Sequence, residues 1–432
     1  MTWTILDTWI VIIGGFTAGA CAIPGSLLVL RRMSLMGDAI SHTVLPGIAI
    51  AFLVTGSREP LPMLLGAVVV GLLTAFLVQA IHSMGRVEVG ASMGIVFTTL
   101  FAFGLVLMRR AVDHVDIDPD CVLYGAIELA WFDQVSIGGF DIPRGVIVNG
   151  VALIANAGVL LLFFKEFKIS SFDPALAASQ GCRPWIMHYL LMTMTAATAV
   201  AAFETVGSIL VIAMFIVPAA TAYLLTDRYS VMIVLAVLIG VASAVVGHLG
   251  AITVPLVWGF SGTSTAGAMA VATGVFFVVV WIFAPRNGVA LRAASQCASR
   301  VRIAAEDVLG LLWRLEERLG GKPAMHRREL ASALDAGPMV VALAMRRLRS
   351  GGSVTRDEDG WKLTASGRSR ATSLVRSHRL WEIYLDRHYP QDAHQLHPAA
   401  ERLEHVTSGT LRRALDEEAG DIKRDPHGRE VP

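Results

Sequence analysis

Long apolar segments follow one another through the first two thirds of this chain and constrain its fold more than any other feature. Each is close to the roughly 20 residues that a helix needs to cross the hydrocarbon core of a bilayer. In lipid, a helix satisfies its own backbone polar groups. The sequence therefore predicts an all-α, multi-pass membrane domain of about nine transmembrane helices, near residues 9–30, 38–56, 61–82, 89–108, 145–164, 185–203, 205–225, 230–248 and 266–284.

The distribution of charge divides the chain near Pro285. Residues 1–285 carry 11 Lys and Arg against 15 Asp and Glu, whereas residues 286–432 carry 25 against 20. With 54% hydrophobic residues, the chain of 432 residues is too apolar for an ordinary soluble protein. Two domains follow, a transmembrane domain over 1–285 and a polar domain that begins after a linker at 286–302.

The Lys and Arg of the short loops predict the orientation, because cytoplasmic loops are enriched in positive residues. With the N-terminus outside, the inner loops carry eight Lys and Arg and the outer loops four. This orientation places the C-terminal domain in the cytoplasm. The opening MTWTILDTW lacks the positive region of a cleaved signal, so the first apolar segment is expected to remain as a span.

From about residue 303 the pattern becomes that of a water-soluble domain. EDVLGLLWRLEERL has apolar residues at helical spacing, and residues 326–352 indicate two helices around Gly337-Pro338. Asp359-Gly360 between two short strand-like segments is a hairpin signal. The order predicts an α+β winged-helix domain over 303–375, followed by a helical segment over 376–420 and a disordered tail over 421–432.

Two ionisable residues stand within the second apolar segment, in LMGDAISHTVLPG. Asp38 and His42 are four residues apart, so a helix presents both on one face. An ionisable side chain at membrane depth is by default a functional-site candidate. Its oxygen and nitrogen donors suit manganese, zinc or ferrous iron; the alternative is a pair that only holds helices together. Pro46 and Gly47 are expected to break or kink the helix and free carbonyls toward a cavity.

Glu204, in AAFETVGSIL, is the other isolated carboxylate of the membrane domain. It is a candidate third ligand or gate, and the alternative is a carboxylate at a helix junction near the outer surface. The four cysteines stand far apart without C-x-x-C spacing, so neither a zinc ribbon nor a disulfide framework is indicated.

Two polar breaks between the spans differ in character. The long connection over 109–143 is acidic and lies outside in the predicted orientation, which suits a cation; an ordinary solvated loop is the alternative. FKISSFDPALAASQG lies inside and contains Asp173-Pro174, a helix start in which Asp caps and Pro occupies the first turn. A short helix at the cytoplasmic surface could be displaced by another protein that docks on it.

GDAISHTVLPG, GASMGIVFTTLFAFGLVL, SFDPALAASQG and VGSILVIAMFIVPAATAYLL together resemble the permease subunits of ABC-type manganese, zinc and iron importers. The resemblance implies that Asp38 and His42 lie on a pore-lining helix and coordinate the metal in transit. It also implies that SFDPALAASQG is the coupling helix that docks in a groove of the ATP-binding subunit, through Phe172, Asp173, Pro174, Ala177 and Gly181.

This resemblance implies several partners in a bacterial inner membrane. The chain contains no G-x-x-x-x-G-K-[ST] phosphate loop, so ATP is expected to be hydrolysed by a separate subunit. A second permease subunit, identical or related, and a periplasmic or lipid-anchored metal-binding protein are also expected. The permease needs no cofactor, since the divalent metal is its substrate. DHVDIDPDCVLYG, residues 113–125, resembles the outer-loop segment of the manganese-leaning branch.

AAEDVLGLLWRLEE, KLTASGRSRATSLVRSHRLWEIYL and AAERLEHVTSG resemble the metal-responsive repressors of the diphtheria-toxin-repressor family over about residues 303–412. The family's manganese-type pattern has a second carboxylate where this chain has Gly310, and Glu382, which matches the iron-type pattern, is the expected substitute. The alternative is a retained fold with surface His and Glu pairs. The resemblance implies that the helical segment over 376–420 serves metal binding or dimerisation. The implied metal ligands are Asp307, His378, Glu382, Glu401, Glu404 and His405.

Arginines on the second helix of the winged helix suit contacts with DNA phosphates, or with anionic lipid, at Arg346, Arg347 and Arg349. A permease fixed in a membrane reaches only passing DNA, so a metal-sensing or dimerising tail is the preferred interpretation. Two functions are therefore compared: a metal-importer permease, and a membrane-anchored metal-dependent transcription regulator. The complete set of permease segments favours the first, because an anchor would not need a coupling segment.

Overall fold

The computed structural model describes residues 3–56, 60–112, 127–137, 139–257, 259, 263–285, 288–320, 324–358, 360–389 and 393–432. It divides into two compact units, a membrane unit (Met1–Leu291) and a tail unit (Arg292–Pro432). This boundary falls within the predicted linker, where a helix already begins at Val289. The acidic segment at 113–125 lies outside the described residues.

The membrane unit is built from helices whose positions match the predicted spans. Among the described residues, eight helices are long and apolar enough to cross a bilayer, and a shorter apolar helix at Leu210–Leu225 lies within the seventh predicted span. The elements are α1 (Ile5–Leu30), α2 (Leu35–Thr55), α3 (Pro60–Gly85), α4 (Val89–Val112), the antiparallel hairpin β1 (Gln134–Ile137) and β2 (Phe140–Pro143), α5 (Arg144–Leu162), α6 (Phe164–Phe172), α7 (Pro174–Ser179), α8 (Pro184–Leu225), α9 (Tyr229–Val257) and α10 (Thr265–Phe283).

The sixth and seventh predicted spans are the two halves of α8. Gly207 interrupts the helix with φ 74° and ψ 168°, a backbone conformation that is open almost only to glycine. The chain thus changes direction within α8 and needs no loop there. The short junction AAFETVGS in the sequence corresponds to this interruption.

Helix α1 shows how a proline is accommodated inside the membrane unit. Pro24 has no N–H, so it cannot donate to the carbonyl of Ala20 one turn earlier. Asn156 on α5 supplies the missing hydrogen bond, with its Nδ2 2.9 Å from the Ala20 oxygen. An unpaired carbonyl in lipid is costly, and this side chain removes the cost while joining α1 to α5.

Helix α2 is held between α3 and α4 by close contacts of small residues. A Cβ added at Gly47 would lie 2.4 Å from the carbonyl oxygen of Gly66 on α3. A Cβ added at Gly104 on α4 would lie 2.7 Å from Cδ of Pro46. The expectation that Pro46 and Gly47 break α2 is wrong: the helix continues through both to Thr55, with Pro46 packed on Gly104.

The tail unit has the predicted order of elements. Its core joins side chains of the first helix, the two that follow and the hairpin, including Val308, Leu330, Val341 and Val354. The elements are α11 (Val289–Leu319), α12 (Arg327–Ala333), α13 (Pro338–Ser350), the antiparallel hairpin β3 (Val354–Asp357) and β4 (Gly360–Leu363), α14 (Ala365–His388), α15 (Ala393–Glu404) and α16 (Gly409–Ala419).

Residues 421–432, predicted from composition as a disordered tail, have defined contacts in the structure. The backbone N–H of Val431 donates to the carbonyl of Lys423 over 2.9 Å, and Asp425 is 6% exposed. Nη1 of Arg376 on α14 donates to the Pro432 oxygen over 2.6 Å. A polar composition is therefore compatible with order here, because Arg376 and the buried Arg379 of α14 bind the segment.

Candidate metal centres

Asp38 and His42 lie side by side on α2, as their spacing predicted. Nε2 of His42 is 3.4 Å from Oδ1 of Asp38, and the two side chains are 24% and 38% exposed, respectively. The His42 ring packs against Phe97 and Phe101 of α4, at centroid distances of 5.5 and 5.6 Å. The phenyl rings fix the imidazole, while the partial exposure leaves both donors accessible to a cation.

The packing of α2 sets the position of this pair. Oγ1 of Thr74 on α3 donates to Oγ1 of Thr43, which follows His42, over 2.8 Å. Pro46 lies four residues after His42, so it cannot donate to the His42 carbonyl. The His42 carbonyl oxygen therefore lacks the hydrogen bond that residue 46 of a regular helix would donate.

Glu204, the predicted third ligand or gate, lies on α8 three residues before the break at Gly207. Its side chain is outside the described part of the structure, so its role stays a prediction. The next residue, Thr205, accepts a hydrogen bond from Nδ2 of Asn149 over 3.0 Å.

The predicted coupling segment forms a capped, one-turn helix. Oδ1 of Asp173 accepts the backbone N–H groups of Ala175 and Leu176 at 3.0 and 2.9 Å, and Pro174 occupies the first turn of α7. Gly181 ends the segment with φ 82°. Ala177 is buried beneath it, while Phe172 and Leu176 are exposed at 61% and 47%. Two apolar side chains are thereby available to a docking partner.

Arg31, which sequence analysis had treated only as an inner-loop charge, links α1 to α6. Its guanidinium donates to Oγ of Ser170 over 2.9 Å and to Oγ of Ser171 over 3.1 Å. It also lies over the ring of the buried Phe167, 6.0 Å from the centroid. The turn before α2 is thus tied to the helix that leads into the coupling segment.

The first cluster of metal donors in the tail unit, called cluster A, consists of His378, Glu382 and His397. Oε1 of Glu382 is 3.1 Å from Nε2 of His378 and 2.8 Å from Nδ1 of His397. Burial would raise the pKa of Glu382, but the hydrogen bonds and charges of the two histidines lower it to about 2. Cluster A therefore keeps a buried carboxylate ionised.

The second cluster, called cluster B, consists of Asp307, Glu404 and His405. Nε2 of His405 is 3.0 Å from Oδ1 of Asp307, and its Nδ1 is 2.7 Å from Oε2 of Glu306. Burial would lower the pKa of His405, but the hydrogen bonds of Asp307 and Glu306 raise it to about 10. Clusters A and B meet where Nδ1 of His378 lies 2.7 Å from Oε2 of Glu404.

The donor sets of both clusters fit a divalent metal ion. Within each cluster, the ligand atoms of three residues lie within 4.8 Å of one another. Cluster A offers two imidazoles and one carboxylate, and cluster B offers two carboxylates and one imidazole. Nitrogen-rich sets suit zinc, whereas oxygen-rich sets suit manganese.

The structure brings together five of the six predicted ligands. Glu401 is exposed and belongs to neither cluster. The reason is local: α15 ends at Glu404, so His405 leaves the helix and its ring reaches Asp307. Gly310 is buried and supplies no carboxylate, while Glu382 does join the site.

The histidine that sequence analysis missed is His397. It lies seven residues before Glu404, two helical turns away on α15, a spacing that could have revealed it. The three arginines proposed for DNA contact, Arg346, Arg347 and Arg349, are exposed on α13.

Comparison with known proteins matches each unit to a different family. The ABC 3 transport family matches residues 5–284, and the iron dependent repressor, metal binding and dimerisation domain matches residues 364–432. The chain is 44% identical over 284 residues to the manganese transport system membrane protein MntD of Bacillus subtilis, covering 66% of this chain and 94% of that protein. It is 37% identical over 283 residues to the zinc transport system membrane protein TroD of Treponema pallidum, covering 66% and 75%.

A solved structure, PsaBC from Streptococcus pneumoniae in complex with Fab, matches with a TM-score of 0.55 and 28% identity, over 66% of this chain and 94% of that chain. The helices that carry Asp38, His42 and the coupling segment lie within the region matched by the transport family. The chain is thus a multi-pass membrane protein that belongs to the ABC 3 transport family and carries a C-terminal metal-binding and dimerisation domain of the iron-dependent-repressor type.

Proposed function

We propose that this chain is the permease subunit of an ATP-driven importer of divalent transition metal ions, with a cytoplasmic tail that senses the same ions. The observation that carries the proposal is the adjacent Asp38 and His42 on α2, 3.4 Å apart and partly exposed. A structural pair that only joined helices would be buried and would reach across to a neighbouring helix. These two side chains share one helix and are both partly exposed.

Transport through this site requires a temporary replacement of the ion's water shell. The Asp38 carboxylate and the His42 imidazole supply an oxygen and a nitrogen, and the His42 carbonyl adds an oxygen that Pro46 leaves without a helical donor. Asp38 lies in the first turn of α2, one helical turn before His42. With few protein donors, the ion keeps part of its water and can leave again.

Energy is supplied by a separate ATP-binding subunit that docks on α7. The exposed Phe172 and Leu176 provide the contact, and the Asp173 cap and Gly181 hold the shape of the segment. In the proposed orientation the N-terminus is outside and the tail unit is in the cytoplasm, where the ATP-binding subunit is found. A second permease subunit and an external metal-binding protein complete the importer.

Manganese is the proposed substrate ahead of zinc and iron. The relative described as a manganese transport protein is 44% identical, against 37% for the one described as a zinc transport protein. The oxygen and nitrogen donors at Asp38 and His42 accept all three ions. Because the ligands accept all three ions, selectivity among manganese, zinc and iron has to be measured by uptake.

The second candidate function is a membrane-anchored, metal-dependent transcription regulator. The observation in its favour is the exposure of Arg346, Arg347 and Arg349 on α13, the second helix of the helix-turn-helix. The capped coupling segment favours the importer, because a regulator has no use for a docking site for an ATPase.

The test is uptake of radioactive manganese by cells that lack their own importer and that express the chain with its ATP-binding subunit. Asp38→Asn and His42→Gln are expected to lower uptake at least about tenfold, whereas Glu88→Gln, at an exposed carboxylate of the membrane unit, leaves it unchanged. A chain that ends at Leu291 is expected to transport but to lose shut-off at high internal manganese. Normal uptake by both site variants would reject the pore site.

A further inference from the structure

Arg31, directly after the last residue of α1, is a partly buried cation to which the described residues offer no counter-charge. Its Nε and Nη2 donate to the hydroxyls of Ser171 and Ser170, and its guanidinium lies over the Phe167 ring. No carboxylate in the described part of the chain pairs with it. Burial lowers the pKa of Arg31 from its usual range. Because taking a charge out of water is costly, this position favours an anionic partner.

Two further polar groups near Arg31 have no hydrogen-bond partner. The Tyr229 side chain, at the start of α9, is 5% exposed, yet its hydroxyl contacts no donor or acceptor among the residues that the structure describes. The same holds for Nε2 of His188 on α8. The charge of Arg31 acts on both side chains, so the three lie close together. Buried polar groups usually have a partner, and such exceptions indicate a bound water, ion or ligand.

The donors of this anion site, Arg31, His188 and Tyr229, match a phosphate group. Arg31 offers charge-assisted N–H donors, Tyr229 an O–H, and His188 an N–H when the proton is on Nε2. The rings of Phe164 and Phe172 contact the Tyr229 ring, at centroid distances of 5.0 and 6.4 Å, and hold the phenol in place. The positive charge of Arg31 disfavours a metal ion here, whereas phosphate oxygens can accept from all three side chains.

An apolar groove of about 640 Å³ opens beside the anion site, between α3 and α8. Its walls include Leu73 and Phe76 of α3 and Trp185 and Tyr189 of α8. The Tyr189 ring packs edge-on against the His188 ring, with 5.4 Å between the centroids, and so joins the groove to the anion site. Along α8 the groove extends about 12 Å, at 1.5 Å per residue. This length accommodates the first part of an acyl chain.

We propose that Arg31, His188 and Tyr229 bind the phosphate of an anionic phospholipid whose acyl chain lies in the groove between α3 and α8. Positive charge beside an apolar channel matches the two parts of such a lipid, and basic pockets between membrane helices bind lipid head groups. Trp185 lies in the first turn of α8, where aromatic side chains anchor helices at the membrane surface. The proposal goes beyond metal transport and depends on the proposed function only for the leaflet, which is the cytoplasmic one.

The test uses the purified full chain in detergent, freed of lipid and metal, with dioleoyl phosphatidylglycerol as the probe. Native mass spectrometry counts the bound lipid and gives its affinity. Arg31→Gln is expected to lower this affinity at least about tenfold, because the charged contact with the phosphate is lost. The matched control is Arg32→Gln, which removes the same charge from the exposed neighbouring residue and should bind the lipid as the parent does.

Tyr229→Phe separates lipid binding from a structural role, because it removes only the hydroxyl. This hydroxyl has no partner among the described residues, so the melting temperature of the lipid-free variant should stay the same or rise. Its affinity for phosphatidylglycerol should fall severalfold. A lower melting temperature with unchanged lipid affinity would instead show a structural hydroxyl and would contradict the proposal.

Two further probes identify the source of the phosphate. Dioleoylglycerol has the acyl chains without the phosphate, and inorganic phosphate has the charge without the chains, so neither should displace phosphatidylglycerol at equal concentration. Phe76→Ala, in the groove, should weaken lipid binding, whereas Phe283→Ala, at a 71% exposed ring that ends α10, should not. Displacement by inorganic phosphate as effective as that by the lipid would show a soluble ligand and would overturn the lipid assignment.

Two other results would overturn the proposal. The first is equal phosphatidylglycerol affinity in the parent, Arg31→Gln and Tyr229→Phe. The second is an equal loss in Arg31→Gln and Arg32→Gln, which would reduce the binding to a general attraction between the lipid and positive charge. Because no metal takes part in the measurement, neither result affects the proposed transport of manganese or the proposed sensing by the tail.

Discussion

At the scale of single residues, the tail unit is protonated at a side chain that would hold metal. His405 has a pKa raised to about 10 by Asp307 and Glu306 against the opposing effect of burial, so its imidazole is charged at neutral pH. Glu382, with a pKa of about 2, stays ionised between its histidines. A metal ion that enters cluster B must displace the proton of His405, because only the neutral imidazole binds metal.

We expect Mn²⁺ binding to cluster B to release protons, with affinity rising with pH. The sign follows from the raised pKa: between pH 6.5 and about 10, His405 is protonated in the folded, metal-free chain, and every metal bound removes that proton. Titration calorimetry in two buffers of different ionisation enthalpy measures the number of protons released per metal ion bound at pH 7.5. His405→Gln should reduce it by about one proton, and an equal count in both proteins would contradict the assignment.

At the scale of helices, the pore site depends on how closely α2 approaches its neighbours. Gly47 and Gly66 touch through their backbones, and Pro46 packs on Gly104. Because helix backbones rarely approach so closely without small residues, these positions determine where Asp38 and His42 lie.

We expect Gly47→Ala to lower manganese uptake severalfold or more, without any change of ligand. The added Cβ would lie 2.4 Å from the Gly66 oxygen, so α2 must move away from α3 at a cost of roughly 1–3 kcal/mol. The matched control is Gly94→Ala on α4, where an added Cβ meets nothing within 4 Å. Uptake at equal protein levels is the measurement; equal uptake by both variants would show that the crossing tolerates movement.

Arg31, which follows the last residue of α1, is hydrogen-bonded to α6, the helix that leads to the coupling segment. We expect Arg31→Lys to lower the number of ions transported per ATP hydrolysed, because an ammonium cannot reproduce both serine contacts and the stacking on Phe167. Arg32→Lys, at the exposed neighbouring residue, is the control. Uptake and ATP hydrolysis are measured together in liposomes; a constant ratio would exclude a coupling role.

At the scale of the whole molecule, hydropathy predicted nearly all of the membrane unit, because lipid permits few structures other than helices. The glycine-containing junction near Gly207 also marked a real interruption. The metal clusters were harder to predict, since their ligands come from distant helices. The resemblance implied Glu401 as a ligand, yet its side chain is exposed, whereas Glu404, three residues later on α15, belongs to cluster B. His397, which was not predicted, meets Glu382 only through the packing of α15 on α14.

The two units should respond differently to metal. Each has its own core, so a saturating ion that binds the tail clusters is expected to stabilise the tail unit by about 2.7 kcal/mol at 100 times its Kd. Calorimetric unfolding should show a metal-dependent rise in the tail transition alone, which His378→Ala abolishes. A rise that persists in this variant would place the stabilising ion elsewhere.

Asp38 is partly exposed, whereas Glu382 and Glu404 are buried, and this difference affects how fast each site exchanges a bound ion. A centre with few, accessible ligands exchanges its ion quickly, whereas buried carboxylates ringed by histidines must break several bonds before the ion departs. At the proposed pore site, each passage would be brief. In the tail, a bound ion would stay in place while many ions pass through the pore site. The occupancy of the tail clusters would therefore follow the ion concentration averaged over time and not its brief changes.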